Sequence, residues 1–216
     1  MGMEIDNESR SARKDREIIK AATAAFVSKG YDGTSMEEIA TNAAVSKQTV
    51  YKHFTDKETL FTEVVRSTAV RTNDVIELVA TLLSEDCFMK GGLHQLARRL
   101  VTMLLDEELL KLRRLIIANA DRMPQLGRDW YEKGFERMLA TMASCFQKLA
   151  ARDLLEVPDP YLAASHFFGM LLWIPMNEAM FTGNSNPRSK TELERHADAS
   201  VEAFLVAYGK RPKQPR

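Results

Sequence analysis

Residues 34–60 constrain the fold more than any other segment, because closely spaced helix starts leave room only for short helices joined by tight turns. Ser35 and Glu38 have the spacing of a capping box, and so do Thr34 and Glu37, so a helix begins here whichever hydroxyl caps it. Apolar residues at three- and four-residue intervals then define one face: Met36, Ile39, Ala40 and Ala43. The pattern predicts a short amphipathic helix.

A second short helix is expected after a turn at Ala44 and Val45, with Ser46 as a favourable N-cap residue. Val50 and Phe54 lie four positions apart and share the inward face. The outward side chains are rich in groups that can contact DNA: Ser46, Lys47, Gln48, Thr49, Tyr51, Lys52 and His53. This division of faces indicates a helix-turn-helix whose second helix enters the major groove.

Thr55 and Glu58 again have capping-box spacing and predict the start of a following, longer helix. Lys57 falls in the first turn of that helix. Backbone N–H groups and a cation can hold one phosphate together at such a position.

The segment 13–61 resembles the DNA-binding domain of the tetracycline-repressor (TetR) family of transcriptional regulators. So many matches at fixed spacing are far more specific than a helix-turn-helix pattern alone, and they cover roughly the first quarter of the chain. The matching residues are Ile18, Ile19, Lys20, Ala21, Ala22, Phe26, Gly30, Tyr31, Thr34, Ser35, Ile39, Ala40, Val45, Ser46, Thr49, Val50, Tyr51, His53, Phe54, Lys57, Glu58, Leu60 and Phe61.

Two residues depart from the family pattern. Ala44 stands in the turn where the family usually has Gly, and if that position needs a positive φ, Ala costs about 1 kcal/mol there. We therefore expect strain or a slightly different turn, with the fold retained. Gln48 stands where the family often has Gly, and because Gln can pair with adenine, sequence preference is expected to depend on it.

The resemblance implies a division of roles among the exposed side chains. The expected base-reading residues are Lys47, Gln48, Thr49 and Lys52. The expected phosphate-binding residues are Thr34, Ser35, Ser46, Tyr51, His53 and Lys57. Each has a simpler interpretation, with Tyr51 as core packing, His53 as a cap and the lysines as solvated charges. The constellation is stronger than any single member.

Basic charge in this chain is local. The 216 residues carry a formal net charge of zero and the pI is about 6.9, which excludes a wholesale polycation. Local patches suffice for a protein that binds a defined operator, and they predict salt-sensitive affinity. The basic residues cluster in the first helix and around the motif: Arg10, Arg13, Lys14, Arg16, Lys20, Lys47, Lys52 and Lys57.

Cys87 and Cys145 lie far apart, without the spacing of a disulfide framework or a structural zinc site, so no metal or cofactor is expected. The N-terminus lacks the apolar core of a signal peptide. The longest apolar run, 167–176, is too short to span a bilayer and contains Pro175. A soluble, cytoplasmic protein without membrane contact is expected.

The composition favours helices throughout, because Gly and Pro are scarce and no segment alternates like a strand. The predicted fold is all-α, with an N-terminal three-helix helix-turn-helix domain, a C-terminal helical ligand-binding and dimerisation domain, and about nine helices. Later helices are expected over 56–83, 93–105, 107–122, 125–152, 160–181 and 190–209. The expected domains are a disordered tail (1–10), the DNA-binding domain (11–60), the ligand-binding domain (61–209) and a basic tail (210–216).

The predicted helix 160–181 is apolar on nearly all sides, so it needs burial all round. In a small all-helical domain this suggests burial against a second subunit, although a central helix of a monomer would also explain it. In the family, the last two long helices form a four-helix bundle across a two-fold axis, which implies a homodimer and a palindromic operator. The expected interface residues are Phe168, Leu171, Leu172, Val201, Phe204, Leu205 and Tyr208.

The C-terminal helices are also rich in methionine and aromatic residues, which adapt to varied apolar ligands. Simple core packing is the competing interpretation. Asn119, His166 and Asn177 are the polar residues expected to orient an effector, whose identity the sequence does not show. The candidate pocket comprises Met103, Ile116, Asn119, Met123, Trp130, Phe135, Met138, Met142, His166, Phe167, Met170, Trp173 and Asn177.

Several features of this region resemble the AefR-like type of TetR C-terminal domain: the stretch 112–120, the stop at Pro124, the pair Trp130-Tyr131 and the helix entry at 159–160. That type often has Glu where Asn119 stands, and the neutral amide weakens any case for a cationic ligand.

The preferred hypothesis is a DNA-binding repressor released by a small, largely apolar ligand. An all-helical enzyme lacks support, because no nucleophile motif, metal-ligand cluster or Gly-rich phosphate loop is present. A ligand-binding sensor or adaptor that has lost operator binding is the other alternative, and Ala44 is its only hint.

Overall fold

The computed structural model describes residues 10–84, 91–183 and 188–210. Within these ranges the chain forms ten α-helices and one π-helical stretch, Tyr131–Glu136. The helices are α1 (Arg10–Lys29), α2 (Met36–Asn42), α3 (Lys47–His53), α4 (Lys57–Leu82), α5 (Gly92–Leu104), α6 (Glu107–Ala118), α7 (Pro124–Trp130), α8 (Arg137–Ala151), α9 (Pro160–Thr182) and α10 (Lys190–Tyr208). No strand occurs in these ranges beyond an isolated bridge between Leu155 and Gly209. The all-α prediction is confirmed.

The helix over 125–152 was expected to be continuous, but the π-helical stretch divides it. A π turn widens the hydrogen-bonding pattern and rotates the following residues to a different face, so α7 and α8 pack against different parts of the molecule. The helix expected over 107–122 ends earlier, at Ala118. There the Asn119 side-chain amide donates to the Leu115 carbonyl at 2.8 Å.

The N-terminus of α4 also differs from the expected capping box. Asp56, not Thr55, is the N-cap residue, and its carboxylate accepts from the Thr59 N–H at 2.7 Å. Because the carboxylate is ionised when it accepts this bond, the bond lowers the pKa of Asp56.

Two hydrophobic clusters divide the described molecule, and they do not follow chain order. The first cluster unites α1, α2, α3 and the start of α4, and it includes both Leu60 and Phe61 at the expected domain boundary. It is completed by five distant residues of α6 and α7: Leu112, Leu115, Ile116, Met123 and Leu126. The second cluster is built from the far end of α4 together with α5, α8, α9 and α10. Helix α6 therefore contributes to both cores.

Pro175 lies inside α9 and is buried. Because proline has no N–H, it cannot donate to the carbonyl of Leu171 one turn earlier. His196 of α10 supplies the missing donor, with its Nε2 at 3.0 Å from that carbonyl oxygen. This contact requires the Nε2–H form of the imidazole, and it joins the last two helices.

None of the helices in the described ranges has both the length and the apolarity needed to cross a lipid bilayer. The expected tails, 1–10 and 210–216, lie outside the described residues except for Arg10 and Lys210. Most of the expected break at 84–92, including Cys87, also lies outside them. Cys145 is buried as an unpaired thiol, and burial raises its pKa.

Candidate nucleic-acid interface

Helix α2 begins as the capping-box spacing indicated. Ser35 is the N-cap residue, and its Oγ accepts from the Glu38 N–H at 3.2 Å. Thr34, the other possible cap, is buried, and its hydroxyl donates to the Gly30 carbonyl at 2.8 Å. The expectation of a Thr34–phosphate contact is wrong for this conformation, because the buried hydroxyl holds the loop after α1.

The turn between α2 and α3 adopts a Schellman arrangement. Val45 N–H donates to the Ala40 carbonyl and Ala44 N–H donates to the Thr41 carbonyl, at 3.0 and 3.1 Å. Ala44 has a φ of +53°, the left-handed region that favours glycine. The expected strain at this position is therefore confirmed, and the turn keeps its usual hydrogen bonds.

Helix α3 presents the predicted division of faces. Ser46 caps it, accepting from the Thr49 N–H at 3.1 Å, and the two hydroxyls lie 2.8 Å apart. Val50 and Phe54 are buried in the first cluster and fix the rotation of the helix. The exposed residues are Ser46, Lys47, Gln48, Tyr51 and Lys52. Their side chains therefore form a polar and aromatic surface on a fixed framework, the geometry that enters a major groove.

Glu37 is a member of this surface that the sequence reasoning overlooked. Its carboxylate pairs with the Lys47 ammonium, which also lies 5.7 Å from the centre of the Tyr51 ring. The hydrogen bond between the two groups lowers the pKa of Glu37 and raises that of Lys47, so both stay charged. One expected base-reading cation is thus paired with an acid in this structure. Glu37 and Lys47 carry opposite charges on the two helices that flank the turn at Ala44 and Val45, and this is the sequence signal that could have indicated the pair.

His53 is mostly buried and its Nδ1 contacts the carboxylate of Asp15 on α1. This pairing ties the end of α3 to α1 and leaves Nε2 as the ring atom that can reach a phosphate. The phosphate-binding role of His53 stays a prediction, restricted to that atom.

Lys57 is placed differently from the expected phosphate clamp. Its ammonium donates to the carbonyls of Tyr31 and Thr34 at 2.9 and 3.0 Å, and it lies 4.4 Å from the centre of the Tyr31 ring. These carbonyls belong to the loop that begins at Gly30, whose φ of +75° ends α1. The phosphate-binding role of Lys57 stays a prediction, and in this structure its amine holds the loop through two carbonyls.

A second cation reaches the same loop from the distant segment after α6. Arg122 donates to Asp32 at 2.8 Å, and its guanidinium lies 5.0 Å from the centre of the Tyr31 ring. The Tyr31 ring therefore contacts two cations, Lys57 and Arg122. The sequence offered no signal for this contact, since 90 residues separate its two ion-pair partners.

The expected interface residues need correction. Five of the seven are buried within the protomer itself, so another subunit cannot contact them: Phe168, Leu171, Leu172, Val201 and Phe204. Leu205 and Tyr208 are only partly buried. The apolar side chains that α9 does expose include Leu162, Trp173 and Phe181, with Trp173 68% and Phe181 86% exposed. These three share one face of the helix.

The expected pocket residues do not line one cavity. Ile116, Met123 and Trp130 pack with the first cluster, whereas Met103, Phe135, Met138, Met142, Phe167 and Met170 pack with the second. Trp173 is exposed and His166 contacts the Tyr208 hydroxyl at the surface, at 2.6 Å. The Asn119 and Asn177 amides donate to carbonyls of their own helices. The assignment of these thirteen residues to one pocket is wrong, because they face different surroundings.

Among the described residues no group of three or more His, Cys, Asp or Glu side chains could hold a metal ion.

A helix-turn-helix with an outward-facing second helix, carried on a larger helical body, defines a DNA-binding transcriptional regulator. Residues 18–64 match the profile of bacterial regulatory proteins of the tetR family, and residues 91–210 match the C-terminal domain of AefR-like transcriptional repressors. The chain belongs to the TetR family, a family of transcriptional regulators rather than of enzymes.

Solved structures resemble this chain over nearly all of its length. A protein from Mesorhizobium loti assigned to the TetR family of transcriptional regulators is 81% identical, with a TM-score of 0.88; the match covers 94% of this chain and 100% of that protein. The flavonoid-responsive regulator FrrA is 26% identical with a TM-score of 0.68, covering 93% of this chain and 99% of FrrA.

Curated relatives match over the DNA-binding region only. The transcriptional repressor AcnR of Corynebacterium diphtheriae is 31% identical over 72 residues, which is 33% of this chain and 37% of AcnR. IcaR of Staphylococcus aureus, a negative regulator of a biofilm operon, is 35% identical over 63 residues, 29% of this chain and 33% of IcaR. The match thus spans about a third of these relatives' lengths.

Proposed function

We propose that this chain is a homodimeric repressor that binds a palindromic operator in double-stranded DNA and is released by a small, largely apolar effector. One observation carries the proposal: α3 holds Lys47, Gln48, Tyr51 and Lys52 outward while Val50 and Phe54 anchor it in the first cluster. The names of AcnR and IcaR, a repressor and a negative regulator, support repression. The name of FrrA supports a response to an organic effector.

The exposed apolar face of α9 supports the dimer. Trp173 and Phe181 would leave water if a second copy packed against this face, and burial of large aromatic side chains is a major source of association energy. Two-fold symmetry would then place two α3 helices in successive major grooves, which requires a palindromic site.

The roles of the individual side chains follow from their positions. Lys47, Gln48, Thr49 and Lys52 are proposed to reach base edges. Tyr51, the hydroxyls of Ser35 and Ser46, and Nε2 of His53 are proposed to hold phosphates beside the groove.

Genome-wide capture of bound DNA fragments tests the proposal. Purified wild type would be compared with Tyr51→Ala/Lys52→Ala, and with Tyr161→Ala/Lys190→Ala as a matched control. The control removes a tyrosine of similar exposure (45% against 42%) and an exposed lysine outside the α3 surface. Wild type and control should enrich one short palindrome that the α3 variant does not enrich, since only the variant lacks the proposed DNA contacts.

Each sample would be unfolded and refolded first, so that a co-purified effector cannot hold the protein off DNA. Absence of an enriched motif from the folded, dimeric wild type at low salt would then contradict operator binding and favour a sensor or adaptor.

A further inference from the structure

Arg113 is a partly buried cation that the proposed DNA contacts do not explain. It lies on α6, three residues after Leu110, which is buried in the second cluster. Its Nη1 is 3.2 Å from the Sδ of Met176 on α9, and its Nε is fully buried without a hydrogen-bond partner. Among the residues that the structure describes, this thioether is the only partner of the guanidinium.

Neighbouring arginines in the C-terminal helices have conventional partners. Arg114 donates to the Ala179 carbonyl at 2.9 Å, Arg98 forms a two-bond pair with Asp198, and Arg188 pairs with Glu178. A thioether sulfur is only a weak acceptor, whereas a guanidinium has five N–H donors. Arg113 is therefore the exception in its surroundings.

An unpaired buried cation is unfavourable, because it loses hydration without gaining a counter-ion. Burial lowers the pKa of Arg113, but an arginine side chain does not give up its proton in a protein. A partner from outside the chain would remove this disadvantage.

We propose that Arg113 anchors the effector and that the effector is a monocarboxylic acid with an apolar body, an inference that rests on the effector-responsive function proposed above. The planar guanidinium fork matches one carboxylate through two parallel hydrogen bonds. Met176, which lies against the guanidinium and is itself only partly buried, offers an apolar contact for the rest of the molecule. A phosphate monoester carries nearly two negative charges at neutral pH, so a single guanidinium would leave it partly unneutralised.

The position of Arg113 links such an acid to the DNA-binding region. The same helix carries Leu112, Leu115 and Ile116, which complete the first cluster. An acid that binds one arrangement of α6 more tightly than another shifts the equilibrium towards that arrangement, and the difference between the two affinities sets the size of the shift. The arrangement of the first cluster then changes with α6.

The test uses hexanoate, decanoate, palmitate and 3-phenylpropanoate, with their methyl esters as neutral counterparts. Thermal unfolding and titration calorimetry of the full chain without DNA would compare wild type, Arg113→Met, Arg113→Lys and Arg114→Met. At least one acid should raise the wild-type melting temperature, by roughly 5 °C at a hundredfold excess over its dissociation constant, and its ester should not.

The variants separate an anchoring role from a structural one. Arg113→Met should raise the melting temperature of the ligand-free protein and abolish the response to the acid, because it replaces an unpaired charge with an apolar side chain. Arg113→Lys keeps the charge but lacks the fork, so its affinity for the acid should fall about tenfold. Arg114→Met should lower the melting temperature, through loss of the Ala179 contact, and keep the response.

A lower melting temperature of Arg113→Met, acid binding that survives in this variant, equal binding of acids and esters, or no response to any acid would each overturn the proposal. Because no DNA is present, a failure of operator binding leaves these results unaffected, and operator capture without acid tests the DNA surface separately.

Discussion

At the scale of single residues, Ala44 combines an ordinary side chain with an unusual backbone conformation. It occupies the position after the end of α2 where glycine is usual, with a φ of +53° and an exposed methyl group. Local hydrogen bonds and the packing of α2 and α3 keep the turn in place, so the strain lowers stability without changing the turn.

Substitution Ala44→Gly is expected to increase the free energy of unfolding by up to about 1 kcal/mol, because glycine adopts positive φ without steric cost. Part of the gain is offset by the greater freedom of glycine in the unfolded chain. Urea unfolding followed by circular dichroism would measure the change. A lower midpoint for the variant would show that the turn is not strained by Ala44.

His196 illustrates a residue whose role depends on a distant proline. Substitution His196→Leu removes the donor to the Leu171 carbonyl, and an unsatisfied buried carbonyl costs about 1–3 kcal/mol. The variant should therefore unfold at lower urea concentration. His94→Leu is the matched control, because His94 pairs with Glu202 at the surface and its loss should change stability by less than about 0.5 kcal/mol. Equal effects of the two substitutions would contradict this role of His196.

At the scale of helices, the starts were predicted better than the ends. Ser46 was identified correctly and Ser35 was one of two candidate caps, because an N-cap is a local interaction between one side chain and an N–H two or three residues later. The π-helical stretch and the early end of α6 were missed. No proline or glycine marks the early end of α6, and Gly134 inside the π-helical stretch does not by itself distinguish a π turn from a continuous α-helix.

The pair formed by Glu37 and Lys47 joins α2 to α3 and affects how α3 meets DNA. Substitution Glu37→Gln removes a negative charge from the proposed DNA surface and frees Lys47. Affinity for the operator should rise several-fold, with a steeper dependence on salt if Lys47 then contacts phosphate. Fluorescence anisotropy at two salt concentrations, with an operator fragment from the capture experiment, would measure both quantities.

Glu38→Gln is the control for this prediction, because Glu38 lies on the same helix but pairs with Lys29 of α1, at 2.6 Å. Affinity unchanged or weakened in Glu37→Gln would mean that the carboxylate does not oppose binding.

At the scale of the whole molecule, the exposed apolar face of α9 predicts the oligomeric state. Substitution Trp173→Glu places a charge on that face without disturbing the core, since the side chain is 68% exposed. The variant should be a folded monomer by sedimentation and should lose most affinity for a palindromic operator, because each half-site alone binds weakly. Ile117→Glu changes a similarly exposed residue of α6, 61% exposed, and should stay dimeric. A dimeric Trp173→Glu variant would exclude this face as the interface.

The sequence predicted which side chains of α3 face outward far better than it predicted the interior of the C-terminal helices. Periodicity separates the faces of a short amphipathic helix such as α3, so Val50 and Lys52 were placed correctly. It cannot do so in α9, which is apolar nearly all round, and the face given to Phe168 and Leu171 was the core-facing one. The unpaired Nε of Arg113 could not be predicted either, because Arg113 and Arg114 are identical neighbours between Leu112 and Leu115.

The five residues that α6 and α7 add to the first cluster bear on how such regulators can diversify. A hybrid that joins residues 1–66 of one relative to the body of another would set foreign side chains against Leu60, Phe61 and their neighbours. Such a hybrid is expected to fold poorly unless 107–130 is transplanted together with the N-terminal portion. Such regulators are therefore expected to acquire a new promoter more readily by substitutions at exposed positions of α3, such as Gln48, than by recombination at the apparent domain boundary.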